Sequence, residues 1–202
     1  GYGAAAHESG NFLARDRYDQ SPSLATSIER AMALNEIGTN DLAHVELYSC
    51  FPCVPKMARR VLDWPIEKPV TVFGGLTFGG GPIGNYMSHA VVAMAEKLRG
   101  TDGRGLLFAN GGYATHNHAI MLSGVPTGAH FPQDFDYQTE ADGRRGEVPP
   151  IDEDYAGPAV IETYTVHYDR AGSPKSCVIV ALTPNGSRTL AKVPADDSET
   201  IA

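Results

Sequence analysis

Gly74-Gly75-Leu76-Thr77-Phe78-Gly79-Gly80-Gly81-Pro82-Ile83-Gly84-Asn85-Tyr86 is the stretch on which the reading of this chain turns. It follows the β-branched run Val70-Thr71-Val72-Phe73, which reads as a buried strand. It leads into residues 87–99, which read as a helix with Val91, Val92, Met94, Ala95 and Leu98 apolar. A glycine-dense turn between strand and helix lets backbone approach a ligand closely, because no Cβ stands in the way. The helix behind it offers unpaired N–H groups suited to an anion or a developing oxyanion. The bland alternative is a tight turn that only packs helix on strand, since a glycine motif alone is weak evidence.

Outward from that stretch, strands and helices alternate. Residues 2–7 are small and apolar and read as a first strand. Ser21-Pro22 starts a helix, with Ser as N-cap and Pro in the first turn; Leu24, Ile28, Ala31, Met32 and Asn35 recur at helical spacing, and Gly38 stops it. Residues 45–49 read as a strand and 52–62 as a helix with Lys56, Arg59 and Arg60 outward. Residues 105–109 form a buried strand, Asn110-Gly111-Gly112 turns the chain, and 115–122 return antiparallel. This predicts an α/β layered domain over 1–125, with a mixed, mostly parallel five-stranded sheet flanked by helices. Ligands in such sheets favour the carboxyl ends of the strands, where the glycine loop, Ser49-Cys50 and Asn110 lie.

Residues 126–158 lack any sustained period and read as an extended linker or arm. Beyond them, 160–168, 176–182 and 188–193 alternate as strands, with turns at Asp169-Arg170-Ala171-Gly172 and Pro184-Asn185-Gly186. This is a small antiparallel β unit over 159–202, an accessory domain that reads as incomplete, with a helix start over 196–202.

The 202 residues suffice for one sizeable core and a small companion. Hydrophobic residues are 42% and charged residues 20%, an ordinary globular balance. A net charge of −8 and a pI near 5.3 argue against a general nucleic-acid binder. No apolar run approaches the roughly 18 residues that a membrane helix needs. Gly1-Tyr2-Gly3 has neither a basic n-region nor an initiator Met, so no signal peptide is expected and the chain reads as processed or as a fragment. Three cysteines, an odd number, point to a reducing, cytoplasmic compartment.

Three motifs in order resemble the C-terminal half of a thiolase. Val45-Glu46-Leu47-Tyr48-Ser49-Cys50-Phe51 is similar to that family's strand ending in Asn-Glu-Ala-Phe or His-Glu-Ala-Phe. Gly80, Pro82 and Gly84 match its Gly-His-Pro loop, and Phe108-Ala109-Asn110-Gly111-Gly112 matches its Cys-x-Gly-Gly turn. The nearest branch is the sterol-carrier-protein type, some members of which carry an additional C-terminal domain. The resemblance implies an acetyl-CoA acetyltransferase fold, acyl-CoA as substrate without a bound cofactor, a role in lipid metabolism, an N-terminal half as partner and a homo-oligomer. It places Tyr48, Ser49, Gly80, Gly81, Pro82, Asn110 and His118 at the substrate.

The same comparison puts the family's catalytic His on Gly81 and its second Cys on Ala109, and neither can move a proton. The family's nucleophilic Cys belongs to the half that precedes this one. Thiolysis therefore does not run on these residues, and the chain alone reads as inactive. Tyr86 and His89, just after the loop, are the candidate acid–base pair that could take over. Two other functions stay open: a non-catalytic binding or scaffold module, and a thiol redox protein through Cys50-x-x-Cys53. His116-x-His118 puts two imidazoles on one strand face, which suits a metal. No third ligand pattern accompanies them, so hydrogen-bonded histidines and no metal site are expected.

Overall fold

The computed structural model of the chain describes residues 2–126, 128 and 134–201. The chain divides into two compact units, Gly1–Gly10 with Arg17–Arg145 and Asn11–Asp16 with Gly146–Ala202.

The first unit is built on a four-stranded sheet in the order β1-β4-β3-β2. Its strands are β1 (Gly3–His7), β2 (Leu42–Leu47), β3 (Arg104–Gly111) and β4 (His116–Ser123). Only β2 and β3 pair parallel; β4 runs antiparallel to both of its neighbours. The expected five-stranded, mostly parallel sheet is thus a four-stranded mixed sheet.

The missing strand is Val70-Thr71-Val72-Phe73. A single ladder-like bond joins it to β2, from Leu47 N–H to Val70 O at 2.9 Å. Beyond that point the N–H groups of Val72 and Phe73 donate to the Glu46 carboxylate instead, at 2.8 and 3.1 Å. A buried acceptor has taken the donors that a strand ladder would use.

Successive residues of a strand face opposite sides, and here each side is covered differently. Ala4, Val45, Leu47, Leu106, Phe108, Ala119 and Met121 join α1 (Pro22–Leu34), α2 (Cys53–Leu62) and Trp64 in the main core. Leu107 faces the other way, onto Tyr86, Ala90, Met94 and Leu98 of α4 (Tyr86–Leu98). Ser21 caps α1 as expected, its Oγ accepting from Leu24 N–H at 3.2 Å. The helix ends at Leu34 and not at Gly38, because the Asn35 amide turns onto the Tyr2 backbone and Glu36 adopts a left-handed φ of 51°.

Part of the expected arm, 127 and 129–133, lies outside the described residues. Within the rest of it a short helix, α5 (Gln138–Gly143), packs on the first unit; Glu140 pairs with Arg30 at 2.5 Å and with Arg144 at 2.6 Å.

The second unit holds an antiparallel meander of β5 (Val160–Tyr168), β6 (Pro174–Leu182) and β7 (Arg188–Pro194), followed by a helical turn (Ser198–Ile201). Cys177, Val193 and Ile201 make its small apolar cluster. The fully buried Arg188 guanidinium grips both Glu162 oxygens, at 2.8 and 2.6 Å, and donates to the carbonyls of Leu13 and Arg15. No helix among the described residues is long and apolar enough to cross a membrane.

Candidate functional site

At the carboxyl ends of β2 and β3 lies a cleft of about 440 Å³. Tyr48, Ala109, Asn110, Gly111, His116 and His118 line it from the sheet; Ile83, Gly84, Tyr86 and Met87 line it from the glycine loop and α4.

Its floor is organised by Glu46. This carboxylate is fully buried in β2. One oxygen accepts from Tyr86 Oη at 2.6 Å; the other accepts from Thr71 Oγ1 at 2.7 Å and from the Val72 and Phe73 N–H groups. Thr71 Oγ1 in turn accepts from Gly74 N–H at 2.8 Å and Gly75 N–H at 3.1 Å. Gly74 and Gly75 take φ of 104° and 72°, a region open to glycine. The chain thereby folds into a short helix, α3 (Gly75–Gly79), inside what reads in the sequence as a continuous turn. A buried carboxylate saturated by hydroxyl and backbone donors is the condition under which such a group is tolerated in a core.

Four of the sequence-predicted residues come together here: Tyr48, Tyr86, Asn110 and His118. Tyr48 and Tyr86 rings lie 5.2 Å apart. Burial first, and the thiol of Cys50 second, push the Tyr48 hydroxyl above the usual tyrosine range. Tyr86 is held well above that range by burial and by its hydrogen bond to Glu46. A phenol so placed keeps its proton and orients the aromatic wall. Tyr86→Phe is expected to lower stability by about 1–3 kcal/mol in urea unfolding, because a buried Glu46 oxygen loses its donor.

The other predicted residues lie elsewhere. His89 is exposed, stacked on Phe73 at 5.5 Å, with Nε2 3.4 Å from Asn85 Nδ2. Ser49 Oγ accepts from Leu76 N–H at 3.3 Å and so sits under α3. Gly80, Gly81 and Pro82 form the outer loop, while the neighbouring Ile83 and Gly84 reach the cleft. Ile83 carries a φ of 54°, strained for a β-branched residue.

Asn110 is buried next to Cys50, its amide 2.8 Å from Sγ. Turned so that both ends are satisfied, the amide accepts from Ala114 N–H at 2.8 Å and donates to Gly112 O at 3.2 Å. Burial pushes the Cys50 thiol up, the opposite of what a reactive thiolate of a redox pair needs. Cys50 and Cys53 are both free thiols.

Sequence reasoning passed over Glu46 and His7. The signal for Glu46 was a lone carboxylate between Val45 and Leu47 in an apolar strand, which had to find donors. His7 stands on β1 directly opposite His116, 3.3 Å away between Nδ1 atoms. No group of three or more His, Cys, Asp or Glu among the described residues is arranged to hold a metal.

The comparisons with known proteins bear on each part of the chain. A family model described as the additional C-terminal domain of thiolase-like protein type 1 matches residues 139–202. No curated protein sequence matches. A solved structure from Mycobacterium smegmatis, described as a monomeric SCP2-thiolase-like protein type 1, superposes with a TM-score of 0.85 at 30% identity. The match covers 99% of this chain and 44% of that one, so this chain spans less than half the length of its relative. The layered α/β unit, the separate antiparallel sheet and these two matches together support membership of the thiolase superfamily.

Proposed function

We propose that this chain is the C-terminal portion of an acyl-CoA-handling, thiolase-like protein that binds its ligand in the Tyr48–His118 cleft without thiolysis. The observation that carries this reading is the cleft itself. Apolar and aromatic walls from Tyr48, Tyr86, Met87 and Ile83 meet a few polar groups, Asn110, His116 and His118, at the strand ends. Ser49, Gly80, Gly81 and Pro82 serve it by shaping the loop that brings Ile83 and Gly84 to the cleft. Gly81 and Ala109, at the positions the family gives to its His and second Cys, supply no acid–base group. Tyr86 positions the wall through Glu46, and His89 acts outside the cleft. The partners in this reading are the N-terminal half of the fold and further copies of the chain, in cytoplasmic lipid metabolism.

Isothermal titration with coenzyme A and acetyl-CoA tests it, first on this chain and then with a polypeptide carrying the N-terminal half. Micromolar binding of acetyl-CoA, with no thiolytic product by mass spectrometry, is expected. Absence of heat in both titrations would leave a fold without this ligand, and rapid thiolysis would overturn the loss of chemistry.

A further inference from the structure

Two imidazoles, His116 and His118, line one side of the cleft, a third, His7, packs against both, and no carboxylate lines the cleft. His7 on β1 is in register with His116 on β4, and His116 with Gly111 on β3. His118 is in register with Ala5 on one side and Ala109 on the other. Side chains in cross-strand register share a face, so the small residues at 5, 109 and 111 leave the space around the rings open. The His7 ring centroid lies 4.9 Å from that of His116 and 5.7 Å from that of His118. The 3.3 Å contact between Nδ1 of His7 and Nδ1 of His116 needs one nitrogen as donor and the other as acceptor. It cannot survive with both rings protonated. Partial burial, then the charges of His7 and His116, hold His118 below the usual histidine range.

The surrounding groups do not neutralise this cluster. Glu8, next to His7, accepts from Ser21 Oγ and Ser23 N–H at 2.9 Å each and pairs with Arg145 at 3.0 Å. Arg145 also pairs with Asp142 at 2.7 Å and donates to the His7 carbonyl. From α5, Gln138 bonds the His7 backbone N–H and C=O through its amide. From β3 come Ala109, the neutral Asn110 and Gly111. From β2 and α4 come the Tyr48 and Tyr86 phenols, and Glu46 beneath them is saturated by its own donors. His89 stacks on Phe73 and does not line the cleft.

An imidazole group without a counter-ion, beside apolar walls in a cleft of about 440 Å³, fits a ligand with an anionic head and an apolar body. We propose that the cleft binds the free carboxylate of a short- to medium-chain apolar acid, and that binding takes up a proton on the His7–His116–His118 cluster. The inference does not depend on the coenzyme A reading: a free acid can bind whether or not the thioester does.

The sign follows from linkage. A bound carboxylate stabilises a protonated ring of the cluster over a neutral one, so affinity rises as pH falls from 8 toward 6. Below about pH 5 the acid itself becomes protonated and the gain ends.

The test is calorimetric titration of this chain with hexanoate and with hexanol at pH 6 and pH 8, in two buffers of different ionisation enthalpy. Hexanoate is expected to bind about tenfold more tightly at pH 6 than at pH 8, with close to one proton taken up, and hexanol to bind weakly without pH dependence. His118→Asn and His116→Asn change exposed side chains and should abolish most of the pH dependence while leaving the fold intact. Ala109→Leu fills the cleft opposite His118 without removing a titratable group, and should remove binding at both pH values. Absence of hexanoate binding, binding without proton uptake, or equal binding of hexanol would each overturn the proposal. Hexanoate binding alongside silent coenzyme A titrations would sink only the acyl-CoA reading.

Discussion

Glu46→Ala is expected to lower the stability of the first unit by about 4 kcal/mol and to disorganise the cleft. The carboxylate has no exposed surface and serves as acceptor for two hydroxyls and two backbone N–H groups. Its removal takes the acceptor from the Tyr86 and Thr71 hydroxyls and from Val72 N–H, while Phe73 N–H keeps Thr71 Oγ1 at 3.2 Å, and an orphaned buried donor costs about 1–3 kcal/mol. These losses are not additive, because Val72 and Phe73 can relax together toward solvent. Glu46→Gln should recover part of the loss, because the amide oxygen can take the Thr71, Val72 and Phe73 donors while its NH2 donates to the Tyr86 hydroxyl, which can also accept. Trp64 is the single tryptophan and is buried in the core of this unit, so its fluorescence reports the transition in urea. A loss under about 1 kcal/mol for Glu46→Ala would show that the Thr71–Phe73 segment is held by packing and not by this carboxylate.

The second large effect is expected at Arg188. Arg188→Met should destabilise the second unit by about 2–4 kcal/mol, since a fully buried guanidinium is lost and with it the donors to the Leu13 and Arg15 carbonyls and to the partly exposed Glu162. A pair exchanged whole for apolar residues is often neutral, but this guanidinium has a further duty. It also donates to the carbonyls of Leu13 and Arg15, which ties segment Asn11–Asp16 to β7. The double variant Arg188→Met with Glu162→Met is therefore expected to regain only part of the loss. Arg188→Lys should fail as well, because an ammonium cannot span the two Glu162 oxygens and two carbonyls in the fork geometry of the guanidinium. Cys177 lies buried in this unit, so its rate of alkylation in dilute urea, read by mass spectrometry, reports the opening. Full recovery in the double variant would mean that the two carbonyl contacts contribute nothing.

Both predictions rest on groups whose partners are far away in the chain, and the same contrast runs through the fold. Ser21-Pro22 announces α1, and the apolar spacing from Leu24 to Met32 gives its buried face, because capping and helical period act within a few residues. β3, β4 and the three strands of the second unit follow from alternation and from turns at Gly112, Gly172 and Gly186, all with positive φ. The division into a layered α/β unit and a small antiparallel sheet is legible on those grounds alone, as is Asn110 as a residue at a strand end, whereas Tyr48 and His118 enter as substrate residues only through the thiolase resemblance.

Pairing over distance is not legible in that way. Val70-Thr71-Val72-Phe73 has the composition of a strand, yet its donors go to a carboxylate on β2. Tyr86 follows the glycine loop as an acid–base candidate would, but its hydroxyl is spent on Glu46, 40 residues away. His116-x-His118 gains its third imidazole from His7, 109 residues earlier than His116, and Arg188 reaches a carbonyl 175 residues away. Side-chain period and turn preference are set by local sterics and by which face meets the core. Which donor meets which acceptor is set by strand order and register, and these exist only once the sheet has closed.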